Sequence, residues 1–196
     1  MRLVLIRHGK PKITDGDLYR CRLGEEGIIN TRDLASSGKI PVPDLIFTSP
    51  YNRTIDTARV FSEFFSVKYE ILDCLKEWNL QSLNLKEDYA VQERLGWNDH
   101  DKVVFGNESL NNAKERILKC IKELVGKHKT QKNILLVSHG TVIDMFCSAI
   151  SGREAKISDI RNSNHLDYAV VDFQSGKFNL IKDLVPTLRE AGQKSS

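Results

Sequence analysis

The sequence predicts an α/β protein, a three-layer α/β/α sandwich whose mostly parallel central sheet has helices on both faces and a C-terminal antiparallel hairpin. Three observations predict this fold. Residues 3–9 read LVLIRHG and residues 134–140 read ILLVSHG, and uninterrupted apolar runs of this kind are typical of strands buried on both faces. Strand and helix patterns alternate up to about residue 150, which places helices on both faces of a parallel sheet. The chain then continues with two strand patterns.

The elements of the first third follow from their turn and capping residues. The pattern predicts, in order, a loop at 10–22, a helix at 24–37, a strand at 44–47 and a helix that runs to about residue 65. Gly38 stops the first helix, because glycine readily adopts the left-handed conformation found at helix ends. Ser49 is a good N-cap and Pro50 fits the first helical position, so we expect the second helix to begin there.

The remaining elements follow mainly from hydrophobic periodicity. The pattern predicts a strand at 68–75, an irregular insertion at about 79–107 with one short helix, a helix at 108–128, a strand at 133–137, a helix at 141–150, and hairpin strands at 166–173 and 177–182. The helix at 108–128 repeats apolar residues every three or four positions. We expect one domain over 1–185, because a chain of 196 residues suits one well-buried core, and a flexible tail at 186–196.

Composition and charge limit the partners. The chain carries 29 Lys and Arg residues against 26 Asp and Glu, a net charge of +3. This mild excess fits a small anionic substrate and falls short of the profile of a nucleic-acid-binding protein. No apolar run approaches the ~18 residues of a membrane-spanning segment, so we expect no membrane partner. The sequence leaves the oligomeric state open, with a homodimer as one alternative.

Cysteine usage and the start of the chain predict a cytoplasmic location. Cys21, Cys74, Cys120 and Cys147 are scattered without CxxC spacing, which favours reduced, mostly buried thiols whose role is packing. The first residues enter a strand directly and lack the charged lead and long apolar region of a secretion signal.

Five side chains with catalytic potential fall at or just past the predicted carboxyl ends of different strands: Arg7, His8, Arg53, Glu77 and His139. Open α/β sheets bind their ligands at this edge. Arg53 lies in the first turn of a helix, where a cation opposes the helix macrodipole, so we expect it to serve an anion. Two guanidinium groups at one place suit phosphate, whose oxygens match their forked donors.

The same set suits phosphoryl transfer through a histidine. Nearby guanidinium groups lower the pKa of an imidazole, so one histidine stays neutral and can attack phosphorus to form a phosphohistidine. The other imidazole can donate to an equatorial oxygen in the transition state. A carboxylic acid can protonate the leaving alkoxide and then act as base for water. The scheme requires no metal, and the histidines and carboxylates lack metal-ligand spacing such as HExxH.

Four ordered motifs carry a resemblance to a known family: residues 5–9 (LIRHG), 49–58 (SPYNRTIDTA), 75–77 (LKE) and 137–140 (VSHG). Together they resemble the histidine phosphatase superfamily, the phosphoglycerate mutase-like proteins, from residue 1 to about residue 173. The resemblance implies that His8 is the phosphoryl-accepting nucleophile and Glu77 the proton donor. It also implies a three-layer α/β/α fold, no cofactor, and a phosphate pocket made of Arg7, Arg53 and His139.

The sequence departs from the family pattern just after the first motif. Many members have an acidic residue or glutamine, then threonine, and an asparagine three positions further, where this chain has Lys10, Pro11 and Thr14. We expect the hydroxyl of Thr14 to replace that asparagine as a phosphate contact. Gly9 and Lys10 follow the nucleophile directly, and we expect them to contact the substrate as well.

These residues predict a phosphomonoesterase that hydrolyses a small phosphorylated metabolite. Family mutases carry a fuller Glu-Arg-Tyr-Gly element around the acid, and residues 77–79 lack it, which favours hydrolysis. Two alternatives stay open: a phosphoglycerate mutase-like phosphomutase, and a catalytically inactive phosphate-binding or scaffold protein. Glu87, Glu93 and Glu108 are alternative acids to Glu77. The remaining histidines are interpreted as surface or packing residues: His100, His128 and His165.

Overall fold

The computed structural model describes residues 1–12, 20–78, 86–104 and 108–184, and within 86–90 it describes the backbone alone. The elements, in chain order, are β1 (Arg2–Arg7), α1 (Glu25–Ser36), β2 (Leu45–Thr48), α2 (Asn52–Phe65), β3 (Tyr69–Ile71), a 3₁₀ turn (Asp73–Leu75), α3 (Lys86–Asn98), α4 (Leu110–Lys127), β4 (Asn133–Ser138), α5 (Gly140–Ser151), α6 (Ile157–Asn162), β5 (Tyr168–Gln174) and β6 (Lys177–Lys182). Two sequence predictions fall outside the described residues: the Thr14 contact and the tail at 186–196. Among the described helices, none combines the length and the apolar character needed to cross a membrane.

The strands form one six-stranded sheet in the order β3-β2-β4-β1-β5-β6. The pairs β3-β2, β2-β4 and β4-β1 are parallel, whereas β5 runs antiparallel to β1 and β6 antiparallel to β5. This arrangement confirms the predicted fold class, including the C-terminal hairpin. Because β1 and β4 are parallel neighbours at the centre, the residues that follow them meet at one edge of the sheet.

The side chains of β1 divide the core between the two faces of the sheet. Leu3 and Leu5 pack in one apolar cluster with residues of α4 and α5. Val4 and Ile6 pack in a second cluster with residues of α1 and α2. Successive strand residues point to opposite faces, so a fully apolar strand needs a helical layer on each side. The sandwich predicted from the run at residues 3–6 is therefore confirmed.

Local capping and turn chemistry sets several element ends. Ser109 is the N-cap of α4, and its Oγ accepts the N–H of Asn112 at 3.1 Å. Gly152 ends α5 with a φ of +73°. Ser175 and Gly176, with φ values of 52° and 79°, supply the two left-handed residues of the tight turn that joins β5 and β6.

Three predicted elements are wrong in part. Helix α2 begins at Asn52 and not at Ser49. The strand predicted at 68–75 ends at Ile71, because β3 is the edge strand and pairs with β2 over three residues, and the chain then enters the 3₁₀ turn. The insertion at about 79–107 contains one helix, as predicted, but α3 has 13 residues and is not short; its polar sequence lacks the single apolar stripe that would have revealed its length. The short α6 was not predicted.

The prediction that all cysteines are reduced is wrong for two of them. Cys74, in the 3₁₀ turn, and Cys120, in α4, form a disulfide with Cα atoms 6.0 Å apart. They are 46 residues apart in the sequence, so only the packing of α4 against the turn brings them together. Cys21 and Cys147 lie outside this disulfide and are buried, as predicted. Disulfides persist mainly in oxidising compartments, so cysteine usage no longer supports the cytoplasmic location, which stays a prediction.

Gly27 lies where α1 packs against the backbone that follows the first motif. A Cβ at Gly27 would overlap the carbonyl oxygen of Lys10 and lie 3.0 Å from its amide nitrogen. We expect Gly27→Ala to lower the free energy of unfolding by about 1–3 kcal/mol, the usual cost of overpacking. At Gly126 in α4, no described atom lies within 4 Å of a Cβ position, so Gly126→Ala should raise it by about 0.5–1 kcal/mol. Urea denaturation of both variants measures the difference, and a shift of the same sign in both would contradict the prediction.

Candidate active site

His8 and His139 lie side by side at the carboxyl edge of the sheet. Arg7, at the end of β1, pairs with Ser138, at the end of β4, so the histidines that follow the two strands meet. Their ring centroids are 5.4 Å apart, and both side chains are buried. Two parallel strands therefore bring together two imidazoles that are distant in the sequence.

The His8 ring is held in its neutral form. Its Nδ1 lies 2.8 Å from the carbonyl oxygen of Gly9, and because a carbonyl only accepts, Nδ1 carries the proton and Nε2 keeps its lone pair. Burial lowers the pKa of His8 well below its usual value, and the charges of Arg53 and Arg7 lower it further, against the effect of the Gly9 carbonyl. The ring thus has the protonation state that a nucleophilic imidazole needs.

Arg53 links the two imidazoles from the first turn of α2. Its Nε donates to Nε2 of His8 at 2.9 Å, and its Nη2 donates to Nδ1 of His139 at 3.1 Å. The guanidinium packs over the ring of Tyr51, with 4.8 Å between Cζ and the ring centroid. Burial lowers the pKa of Arg53 from its ordinary value, but an arginine stays charged in a protein. A buried permanent cation at this edge favours an anionic ligand.

His139 is fixed at both ring nitrogens. Ser49 Oγ lies 2.7 Å from Nε2, and because Arg53 donates to Nδ1, we assign the proton of the neutral ring to Nε2, which donates to Ser49. Burial, followed by the charge of Arg53, lowers the pKa of His139 well below its usual value. Ser49 was expected to cap α2, but its hydroxyl orients this imidazole and the helix begins three residues later, at Asn52.

Arg7 is positioned by the segment that precedes β5. Its Nη1 donates to the carbonyl oxygen of Ser163 at 2.7 Å and to its Oγ at 2.6 Å. Its Nε is buried and has no hydrogen-bond partner among the described residues. Burial lowers the pKa of Arg7 from its ordinary value, and the charge of Glu77 opposes this effect. Because an unsatisfied buried donor is costly, this nitrogen is a natural contact for an oxygen of a bound anion.

Glu77 lies just past the 3₁₀ turn, close to both arginines. Its Oε1 accepts the N–H of Trp78 at 2.9 Å, and the backbone N–H of Thr141, at the start of α5, also donates to it. Burial raises the pKa of Glu77 above its usual value, while these amide bonds and the charges of Arg53 and Arg7 oppose the rise. A carboxyl group with a raised pKa can hold a proton for a leaving group.

The segment that carries Glu77 is held in place from two sides. Arg116 of α4 donates through Nη1 to the carbonyl oxygens of Cys74 at 2.8 Å and Lys76 at 3.0 Å. Ser138 of β4 donates through Oγ to the carbonyl oxygen of Leu75 at 2.7 Å. These bonds, together with the disulfide, set the position of Glu77 relative to the two histidines.

The structure thus brings five residues singled out in the sequence to one place: Arg7, His8, Arg53, Glu77 and His139. A family model described as the histidine phosphatase superfamily (branch 1) matches residues 3–183. The chain belongs to the histidine phosphatase superfamily. This membership confirms the resemblance carried by the four sequence motifs.

Known phosphatases are similar to this histidine phosphatase. It is 27% identical over 166 residues to a 5''-phosphoribostamycin phosphatase of Niallia circulans, covering 74% of this chain and 76% of that protein. The structure of a phosphoserine phosphatase from Entamoeba histolytica in complex with 3-phosphoglyceric acid superimposes with a TM-score of 0.76 at 18% identity, covering 95% of this chain and 98% of that one. A mycobacterial glucosyl-3-phosphoglycerate phosphatase gives 0.74 at 21% identity, with coverages of 94% and 99%. The structural similarities establish the fold, and the family with its phosphatase-named relatives supports a phosphoric monoester hydrolase.

Two of the alternative acids form ion pairs with arginines outside the five-residue cluster. Glu108 forms an ion pair with Arg116 of α4, and Glu93 forms one with a residue of α6. The side chain of Glu87 lies outside the described residues. Glu77 is therefore the described candidate whose carboxyl group lies within the field of the site arginines.

Gly9 and Lys10, predicted to contact the substrate, have different surroundings. The N–H of Gly9 donates to Thr57 Oγ1 at 3.0 Å and its carbonyl oxygen lies against His8, so both backbone groups position the nucleophile candidate. The Nζ of Lys10 pairs with Glu26 at 2.7 Å, and both side chains are exposed. Lys10 is thus accessible to a ligand, whereas both backbone groups of Gly9 already have hydrogen-bond partners within the protein.

His165, interpreted from the sequence as a surface or packing residue, is at the surface, but the sequence did not show that it lies beside His8. The side chain of His165 is exposed, and its ring centroid lies 5.5 Å from that of His8. It belongs to the segment between α6 and β5, where no motif marks it. The one signal that could have found it is topological, because β5 is the antiparallel neighbour of β1, so the residues before β5 lie beside those after β1.

Ser49 offers a test of how the imidazole at 139 is oriented. We expect Ser49→Ala to lower kcat/KM for p-nitrophenyl phosphate about ten-fold, because the buried ring loses its hydrogen-bond partner and its fixed orientation. Ser148→Ala is the matched control, since Ser148 is also buried but bonds to the carbonyl oxygen of Met145 inside α5. Steady-state kinetics measure both, and equal rates for Ser49→Ala and the wild type would contradict the assignment.

Proposed function

We propose that this histidine phosphatase hydrolyses a small phosphorylated metabolite through a phosphohistidine formed on His8. The observation that carries the proposal is a neutral His8 beside the buried guanidinium group of Arg53 and the half-buried one of Arg7. His8 Nε2 is unprotonated and accepts a hydrogen bond from Arg53 Nε, a donor that a bound phosphoryl oxygen would take over, which leaves the lone pair of Nε2 for the attack. One of these groups has a buried nitrogen without a protein partner in the described part of the chain. This combination favours a phosphoryl group as ligand and an imidazole as its acceptor.

In the first step, the phosphoryl oxygens of the substrate contact Arg7 and Arg53, and His139 completes the pocket. His8 Nε2 attacks phosphorus in line, the N–P bond forms, and the P–O bond to the alcohol breaks. Glu77 gives its proton to the leaving oxygen and becomes a carboxylate. The guanidinium groups stabilise the charge that develops on the equatorial oxygens.

In the second step, water replaces the alcohol. The Glu77 carboxylate accepts a proton from the water, the water oxygen bonds to phosphorus, and the N–P bond breaks. Inorganic phosphate leaves, His8 is again neutral with its proton on Nδ1, and Glu77 is again protonated. The raised pKa of Glu77 supports both of its roles, because it favours the protonated acid in the first step and makes the carboxylate a stronger base in the second.

Released phosphate measured over a panel of phosphorylated metabolites tests the proposal and identifies the substrate. Hydrolysis of p-nitrophenyl phosphate and of at least one metabolite supports a phosphatase. Transfer between phosphoglycerates without net phosphate release would support the phosphomutase alternative. Phosphate binding without release of phosphate from any ester would support the inactive binding or scaffold protein.

The pH profile follows from the pKa shifts of two groups. The first step needs neutral His8 and protonated Glu77, and the pKa of His8 lies well below 6.5 while that of Glu77 lies above 4.5. We expect a bell-shaped profile of kcat/KM whose acid limb falls below pH 6.5 and whose alkaline limb falls above pH 4.5. The phosphate ionisation of the substrate is fitted separately. An acid limb above pH 6.5 would contradict a nucleophile with a lowered pKa.

A further inference from the structure

His165 lies beside the candidate nucleophile without a role in the steps above. Its ring is tilted by 47° to that of His8, with 5.5 Å between the centroids. Within the described residues, neither of its ring nitrogens has a hydrogen-bond partner. The side chain of His165 is exposed, so the donor and the acceptor of this imidazole are accessible to a ligand that enters the site.

The backbone holds His165 firmly in this place. The N–H of Arg7 donates to the carbonyl oxygen of Asp167 at 3.0 Å, and the N–H of Leu166 donates to the carbonyl oxygen of Arg7 at 3.1 Å. The carboxylate of Asp167 accepts the N–H of Asn164 at 2.6 Å and closes the turn. The end of β1 and the His165 turn are therefore joined by two main-chain hydrogen bonds.

The same turn contains a strained residue. Leu166 has a φ of +68°, in the left-handed region that a side chain of this size rarely adopts. Strain of this kind persists only where the surrounding structure imposes it, and it is concentrated at ligand-binding positions. The turn directs the residue before Leu166 toward the nucleophile at a conformational cost, which simple packing of a histidine does not require.

The electrostatic surroundings of His165 select the charge of the ligand group. Burial lowers the pKa of His165 from its usual value, and the charges of Arg7, Lys10 and Arg53 lower it further, while Glu26 opposes them. A phosphoryl group bound to the two arginines neutralises their charge. Lys10 then stays available, because its pair with Glu26 is exposed and exposed pairs hold their partners weakly.

We propose that His165, assisted by Lys10, binds a carboxylate on the alcohol part of the substrate. This inference rests on the proposed function and adds the substrate class: phosphomonoesters whose alcohol carries a carboxylate within a few bonds of the ester oxygen. His165 takes up one proton when the carboxylate binds, which matches the single negative charge of that group. A charge-assisted hydrogen bond between imidazolium and carboxylate then replaces water on both partners.

A matched pair of substrates isolates this contact. 2-Phosphoglycolate and 2-hydroxyethyl phosphate have the same phosphate ester and differ in a carboxylate against a hydroxymethyl group. We expect wild-type kcat/KM to be about ten-fold higher for 2-phosphoglycolate. His165→Leu should lower the ratio of the two kcat/KM values about ten-fold, mainly through KM for 2-phosphoglycolate, and Lys10→Met should lower it about three-fold.

Two further variants make the result decisive. His165→Gln keeps a donor and should retain part of the preference, and it replaces His165→Leu if the leucine variant does not fold. His128→Gln is the matched control, because His128 ends α4 and its ring contacts Phe47 of β2, and its ratio should equal that of the wild type. An unchanged ratio in the His165 variants, or an equal loss with both substrates, would overturn the inference alone. If the wild type hydrolyses neither ester nor p-nitrophenyl phosphate, the proposed function itself fails.

Discussion

His8→Ala is expected to lower kcat by at least about 10⁴-fold with every substrate, the largest effect of any single substitution in this chain. The variant removes the only group proposed to bond to phosphorus, and the remaining guanidinium groups can bind the substrate but cannot accept its phosphoryl group. KM should change little, because Arg7 and Arg53 keep their phosphate contacts. Phosphate release from p-nitrophenyl phosphate measures the loss.

Chemical trapping adds a direct observation to the rate. Quenching the wild type during turnover of a radiolabelled ester should leave an acid-labile, alkali-stable label on His8, as expected for a phosphoramidate. His100→Ala is the control variant, because the ring of that histidine contacts Trp97 and His100 has no role in the proposed steps. A label found on another residue, or retained in His8→Ala, would remove the basis of the proposed function.

Glu77→Gln is expected to lower kcat by about 10²–10⁴-fold for an alkyl phosphate, because the alkoxide would leave without a proton. The loss should be much smaller for p-nitrophenyl phosphate, whose phenolate leaves without protonation. The alkaline limb of the pH profile should also disappear, because the pKa of Glu77, raised by burial, sets that limb in the wild type.

The rate with the alkyl phosphate also distinguishes Glu77 from Glu93, one of the alternative acids predicted from the sequence. Glu93→Gln is the matched control, since Glu93 forms an ion pair with Arg161 and should leave the rate for the alkyl phosphate unchanged. A large loss of activity in Glu93→Gln, with full activity in Glu77→Gln, would indicate that Glu93 and not Glu77 donates the proton. Equal losses of Glu77→Gln with alkyl and p-nitrophenyl esters would indicate that Glu77 positions the site without donating a proton.

Much of the fold was predictable because its signals are local. The runs at 3–6 and 134–137 are apolar throughout, and the structure buries both strands between helical layers. The hairpin turn was predictable for the same reason, since Ser175 and Gly176 tolerate the required left-handed conformation. The length of helix α3 was underestimated because the helix lacks an apolar stripe, so most of its local pattern resembles that of a loop.

The chemistry of the candidate site was also predictable in part. Arg7, His8 and His139 follow apolar strands directly, and parallel strands that are neighbours in a sheet bring such residues together. The sequence could not show that the Ser49 hydroxyl forms a hydrogen bond with His139 and does not cap the start of α2. A serine before a proline satisfies the capping rule equally well in either case, and the distant imidazole decides which contact forms.

The sequence by itself determined the identity and order of the reactive groups, because residue type and position after a buried strand are properties of a short stretch of chain. Only the tertiary structure decided which of these groups touch: the disulfide between Cys74 and Cys120, the two bonds of Arg53 to the imidazoles, and His165 beside His8. Each of these contacts joins residues from different elements. Their formation depends on how the helices and strands pack across the whole sheet, which a local pattern does not record.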